Sequence, residues 1–298
     1  MPVSLAHPFR TARAYVPYPA GVALARQLAG NALARRLFLS RDIRSIKDVY
    51  EDACGIRLDD RAVHGLLTAK ALKRWRFFDN LIFSDPELER HVRIGGLDMV
   101  RELNRSGRCV VLASAHYIAT GCVVPVLVRL GFDVHGLRQR LFGNPYFSQT
   151  PYIYADGENA LDGIEKLYRV MKSGGLIHTL IDGGQGTGVV SLPFFGRVCN
   201  FRRSLIELAW TEGAAIVPVS VRTDIDGRIL IDFQEPLSVE ERGLPKKVVT
   251  AGIVERHAAF LEATIRTYPW CFDPARIEHF WHRTTVDETN AGRPGAAF

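Results

Sequence analysis

Cysteine is scarce in this chain of 298 residues: there are five, at Cys54, Cys109, Cys122, Cys199 and Cys271, and no two form a CxxC pair. An odd, scattered set excludes a disulfide scaffold and a dithiol redox motif, and it suits a reducing, cytoplasmic setting. The opening stretch MPVSLAHPFRTARAY lacks the apolar core of a signal peptide. No Gly-x-Ser-x-Gly elbow is present, which argues against a serine hydrolase. Zinc-finger spacing, an aromatic RNA-binding signature and a helix-turn-helix are all missing, so nucleic acid is not an expected partner. Metal is not expected either: His279 and His282 stand three apart on one expected helix, but nothing suggests further ligands.

Charge is nearly balanced except at one end. The net charge is +6, from 38 Lys and Arg against 32 Asp and Glu. Residues 1–50 hold eight basic residues and two acidic ones, which leaves 30 of each sign elsewhere. The whole excess therefore lies in the N-terminal segment, where it suits an anionic lipid surface or an acidic carrier protein. A single long run, residues 109–128, contains no charged side chain. Twenty such residues match a membrane span in length. Ser114, His116, Thr120, Gly121 and Pro125 interrupt it, and its β-branched start reads better as a buried strand followed by a buried helix.

Hydrophobic periodicity then orders the chain. Residues 18–40 are rich in Ala, Leu and Arg and read as a loosely amphipathic helix, either lying on a membrane surface or packed on the domain. Residues 43–105 read as several helices, one opening at Ser84-Asp85-Pro86. From Gly107 onward strands and helices alternate. Strands are expected at 109–114, 133–139, 176–181 and near 189–194, and helices at 119–130, 159–175, 202–213 and 246–267. Residues 214–233 read as two strands joined at Asp226-Gly227, a hairpin signal. The expected fold is α/β, with a mainly parallel central sheet flanked by helices. Residues 1–45 are expected to form a basic helical segment ahead of a domain at 46–285, and 286–298 a flexible tail.

His116 and Asp182 stand out. In an open parallel sheet, ligands bind beyond the C-terminal ends of the strands. His116 lies just past one expected strand and Asp182 just past another, so both should sit on that edge. A His there can act as a general base, although a plain strand-end His is the commoner case. An Asp before Gly also commonly bonds its own turn. The glycines Gly184, Gly186 and Gly188 suggest a phosphate loop, but an extended stretch follows instead of the helix a dinucleotide site needs, and no Walker lysine is present.

The blocks GRCVVLASAH, HGLRQRLFGNP, GGLIHTLIDGG, LPFFGR and LAWTEGAAIVPVSVR, in this order, resemble the lysophospholipid acyltransferase superfamily, nearest the bacterial lipid A late acyltransferases. HVRIGGLDMVREL ahead of them and PWCFDPARIEHFWHR after them extend the resemblance over residues 40–285. The resemblance implies transfer of an acyl group from an acyl-carrier-protein or acyl-coenzyme A thioester to a hydroxyl, with no bound cofactor. His116 matches the family's basic His. The family's paired acid falls five residues later, where this chain has Gly121. Asp182 matches an Asp at the end of the later strand, Phe194, Phe195 and Gly196 match a turn near the acceptor groove, and Arg138 falls in a block that carries a basic residue. Arg202 and Arg203, at an expected helix start, are candidates for anionic groups of the donor or for the oxyanion. Without the family's spanning anchor, this member is expected to be cytoplasmic, in at most peripheral contact with the inner membrane face.

Loss of the acid is costly. In a serine-protease triad, Asp to Asn lowers the rate by about 10⁴, or roughly 5–6 kcal/mol of barrier. Either Asp182, Asp156 or Glu158 replaces the acid, or the acceptor is an amine that attacks without prior deprotonation. The competing class is a lipid-binding or scaffold relative without catalysis, and a third reading is a membrane-peripheral hydrolase.

Overall fold

The computed structural model describes residues 16–38, 49–51, 54–75, 77–78, 88–138, 151–154, 160–182, 188–224, 226–237 and 244–273. Tyr18–Gly30 forms α1 and Ala32–Phe38 forms α2. Tyr18, Gly21, Val22, Ala25 and Ala29 bury one face of α1. That face packs on the next long helix, α3 at Asp60–Arg74. The Tyr18 hydroxyl donates to the Gly227 carbonyl, and Arg26 pairs with Asp226. Of the two readings for this segment, the helix packed on the domain is the one observed. α3 is capped by Asp59, whose carboxylate accepts the Ala62 N–H at 2.7 Å, and it carries Asp60 in its first turn and Lys73 and Arg74 in its last, each matching the helix dipole.

The next stretch departs from the all-helical reading. A short helix α4, Leu88–His91, gives way to strand β1, Val92–Gly95, before α5, Leu97–Arg105. Two glycines allow the change. A Cβ on Gly96, which has φ +71°, would lie 2.3 Å from the Phe233 carbonyl oxygen, and one on Gly95 would lie 2.6 Å from the Asp232 carboxylate. Close approach to the strand beside β1 thus breaks what looks like one helical run. The expected start at Ser84-Asp85-Pro86 lies outside the described residues.

The α/β core follows: β2 Val110–Ser114, a 3₁₀ turn Thr120–Cys122, α6 Val123–Arg129, β3 Val134–Arg138, β4 Tyr152–Tyr154, α7 Ala160–Lys172 and β5 Leu176–Leu180. Next come β6 Val189–Phe194, β7 Arg197–Arg202, α8 Ser204–Thr211, β8 Ala215–Thr223, β9 Ile229–Phe233, α9 Lys246–Thr267 and a 3₁₀ turn Pro269–Cys271. The sheet has seven strands in the order β1-β9-β8-β2-β5-β3-β4. Its pairings are parallel except β8 with β9, the expected hairpin. The architecture is therefore α/β, with a mainly parallel sheet flanked by helices. Beside it, β6 and β7 form a separate antiparallel hairpin. The piece read as the start of a helix at residue 202 is the end of β7, because VCNF alternates like a strand and α8 begins only at Ser204.

All five residues of β2 are buried, as befits the central strand of a sheet covered by helices. Residues 109–128 resolve into β2, a loop, a 3₁₀ turn and α6. Among the described residues, no helix is long and apolar enough to cross a membrane.

Candidate active site

Register brings the site together. β2 and β5 pair in parallel with Ser114 opposite Leu180, and the Ile181 N–H donates to the Ser114 carbonyl at 3.1 Å. Two residues further along each strand, the same register sets His116 opposite Asp182. From these two strands the chain departs in opposite directions across the sheet, to β3 and, by way of the hairpin, to β8. Such a switch point is where open α/β sheets form clefts.

The Asp182 carboxylate is fully buried and receives two bonds from one residue. Its Oδ2 accepts the His116 main-chain N–H at 2.7 Å, and its Oδ1 lies 2.9 Å from the ring Nδ1. An ionised carboxylate only accepts, so opposite one a neutral His116 ring would hold its proton on Nδ1 and leave the lone pair on Nε2. The His116 side chain remains one-third exposed (33%), so Nε2 can meet a reactant. Asp182 thus fixes the ring's direction and, when ionised, the tautomer of the neutral ring.

The loop carrying His116 is held from behind. The Ile118 N–H donates to the Cys271 carbonyl at 2.8 Å, and Tyr117 bridges to Phe272, their rings edge-to-face at 5.9 Å. The Tyr50 hydroxyl donates towards the carbonyls of Pro269 and Phe272. This packing fixes the imidazole on a rigid support.

Gly121 is exposed, and a Cβ there would meet nothing within 4 Å. The carboxylate beside the His116 ring is that of Asp182, just past the end of the neighbouring strand β5. Asp156 and Glu158 lie outside the described residues, as do Gly184, Gly186, His279 and His282. Gly188 leads into β6, an extended strand, as the sequence suggested.

The remaining candidates occupy different surroundings. Arg138 ends β3 opposite Tyr154, and the sheet register extended by two residues places it beside Leu180, near the edge that carries Asp182. The Arg202 N–H donates to the Ile181 carbonyl at 3.0 Å, which brings the end of β7 next to Asp182. Arg203 pairs with Glu207 at 2.8 Å, so its charge is engaged within the first turn of α8. Phe194 and Phe195 are both buried: Phe194 packs on the Phe201 ring of β7, and Phe195 meets α9. Phe195 and Gly196 form the hairpin's two-residue turn, both with positive φ (51° and 73°). A bulky residue is strained there. Three contacts hold it: the Glu262 carboxylate accepts the Phe195 N–H at 2.9 Å, the Arg266 guanidinium lies 4.8 Å from its ring centre, and the Phe194 ring packs at 4.8 Å. Arg266 in turn bonds Glu262. Between Leu192 and Pro193 of the hairpin and Ala258, Ala259 and Ala263 of α9 runs an open groove of about 340 Å³.

His257, on α9, was not singled out from the sequence. It is fully buried, and burial pushes its pKa down to about 4, partly opposed by the charge of Asp182. The available signal was its spacing with Ile253, Leu261 and Thr264, which puts a polar ring in an apolar helix face. All five cysteines are free and buried. Among the described residues, no group of three His, Cys, Asp or Glu is placed to hold a metal ion. No protein-family model matches this chain, and no curated protein matches it at a significant level.

Proposed function

We propose that this protein is a thioester-dependent acyltransferase in which His116 is the general base and Asp182 orients and charges it. The observation that carries the reading is the buried Asp182 carboxylate bonded to the ring and main chain of His116 at the C-terminal edge of two adjacent strands. In the proposed reaction an acceptor oxygen attacks the thioester carbonyl while Nε2 takes its proton. The tetrahedral intermediate collapses, the carbon–sulfur bond breaks, and the thiolate takes the proton back from the imidazolium. The products are an ester and a free thiol. Asp182 stabilises the imidazolium throughout.

The donor is an acyl-carrier-protein or acyl-coenzyme A thioester, and the acceptor is a lipid or small-molecule hydroxyl. The case for an amine acceptor rested on the absence of an acid, and Asp182 weakens it. The basic N-terminal segment would meet the acidic carrier or an anionic face of the inner membrane, on its cytoplasmic side. Arg138 and Arg202, at the same sheet edge, are proposed to face anionic groups of the substrates.

The test supplies acyl-carrier-protein and acyl-coenzyme A thioesters to the protein with hydroxyl acceptors, with amine acceptors and with none, and follows thiol release and product mass. Release that needs a hydroxyl acceptor and yields its ester supports the reading. Release of free fatty acid without acceptor would make the protein a hydrolase, and binding of thioester without release would make it a carrier.

A further inference from the structure

His257 lies on the inward face of α9, fully buried, and neither ring nitrogen has a hydrogen-bond partner among the described residues. Its neighbours on that face are Ile253, Val254, Ala258 and Leu261, and the Phe260 ring lies 6.0 Å away. Leu or Phe would fill such a site without stranding a donor and an acceptor. The nearby acid has the complementary shortfall. Asp182 is equally buried, and among the described residues the two bonds it accepts both come from His116, one at each oxygen, although a carboxylate offers about four acceptor directions. His257 and Asp182 lie within electrostatic range of each other. α9 also belongs to the support of the site, since it runs into the Pro269–Cys271 turn whose Cys271 carbonyl holds the loop behind His116.

We propose that His257 is a positioning residue for the His116–Asp182 pair: a buried water accepts its ring N–H and donates to the unused side of the Asp182 carboxylate. Buried waters commonly serve polar groups stranded in this way. The bridge fixes Asp182 from behind, and His116 inherits its alignment. Tyr117, whose buried hydroxyl faces Thr264, is also in electrostatic range of Asp182. It borders the same polar region.

The proposal concerns the site read above as an acyltransferase centre, but its main readout needs no substrate. In ¹⁵N-histidine-labelled full-length protein, the His257 ring N–H should be protected from exchange and show contact with a long-lived water. In a folded His257→Phe variant, the His116 Nδ1–H should exchange with solvent about tenfold faster or more, the scale on which partners behind a site act. His257→Gln, which retains a side-chain N–H, should restore most of that protection. If thioester turnover is found, kcat should follow the same order with KM little changed. A rapidly exchanging His257 N–H, an unchanged His116 signal in His257→Phe, or a Gln variant no better than Phe would overturn the proposal. If His257→Phe fails to fold, the wild-type water contact decides. Absence of turnover in the wild type would remove the acyltransferase reading and leave this test intact.

Discussion

The Asp182 carboxylate holds His116 twice, its Oδ2 at 2.7 Å from the main-chain nitrogen and its Oδ1 at 2.9 Å from Nδ1. Asp182→Asn preserves the volume and an oxygen for the main-chain N–H, but its amide can force the wrong imidazole tautomer. A triad with this change loses about 10⁴ in kcat. The expected result is a loss of about 10³–10⁴ in turnover with KM nearly constant, measured on a variant whose circular dichroism and melting are native-like.

Position 121 should tolerate what the family resemblance would place there. Gly121 has open space around its Cβ position and no positive φ. Gly121→Asp is therefore expected to fold, with a stability change of no more than ~0.5 kcal/mol, as for most surface substitutions. Since Asp182 already occupies Nδ1, a second carboxylate should not raise turnover appreciably. A large gain would mean that Asp182 does not fill the acid's role.

His257 makes stability depend on pH. Its folded-state pKa is about 4, below the ordinary 6.5, so between these values the unfolded chain binds more protons than the folded one. Its contribution is fully present above pH 6.5 and is lost as pH falls towards 4. At pH 5 the loss amounts to about 2 kcal/mol relative to pH 7. Urea unfolding at both pH values should show that difference between wild type and His257→Phe, with the Phe variant the less pH-dependent.

The hairpin clamp predicts a local weakness. Glu262→Ala removes the acceptor of the strained Phe195 N–H and the partner of Arg266. The expected cost is about 1–3 kcal/mol, read as a lower unfolding midpoint. Glu262→Gln, which retains an acceptor oxygen, should lose less.

The thiols should be unreactive. Burial pushes Cys54 and Cys109 up to about 12, and Cys122, Cys199 and Cys271 are buried too. A thiol reagent at pH 8 should label none of these five in the native protein and all five after unfolding. Rapid native labelling of any one would show that its packing is looser than described.

The site pair was legible because the parallel-sheet rule needs little input. Two apolar runs ending in His116 and Asp182 suffice to place both on one edge. α9 was legible from end to end, being long and bounded by Pro245, and so was the turn at Asp226-Gly227. β1 was hidden because four residues between two helices carry too little period, and its extended form depends on close approach of Gly95 and Gly96 to β9. β4 is only three residues long. β7 was masked by the helix that follows within two residues. Phe194 and Phe195 were placed by resemblance, and the contacts that Phe195 makes with Glu262 through its main-chain N–H and with Arg266 through its ring could not be read from it. Those contacts join residues 67 or more positions apart, beyond any local pattern.

The most direct measurement compares thiol release from a matched thioester and hydroxyl acceptor by wild type and by a folded His116→Ala variant. Acceptor-dependent release that falls by about 10³ or more on losing the base is the predicted result. Release that persists unchanged without the imidazole would contradict the account, because Asp182 would then be orienting a residue the reaction does not use.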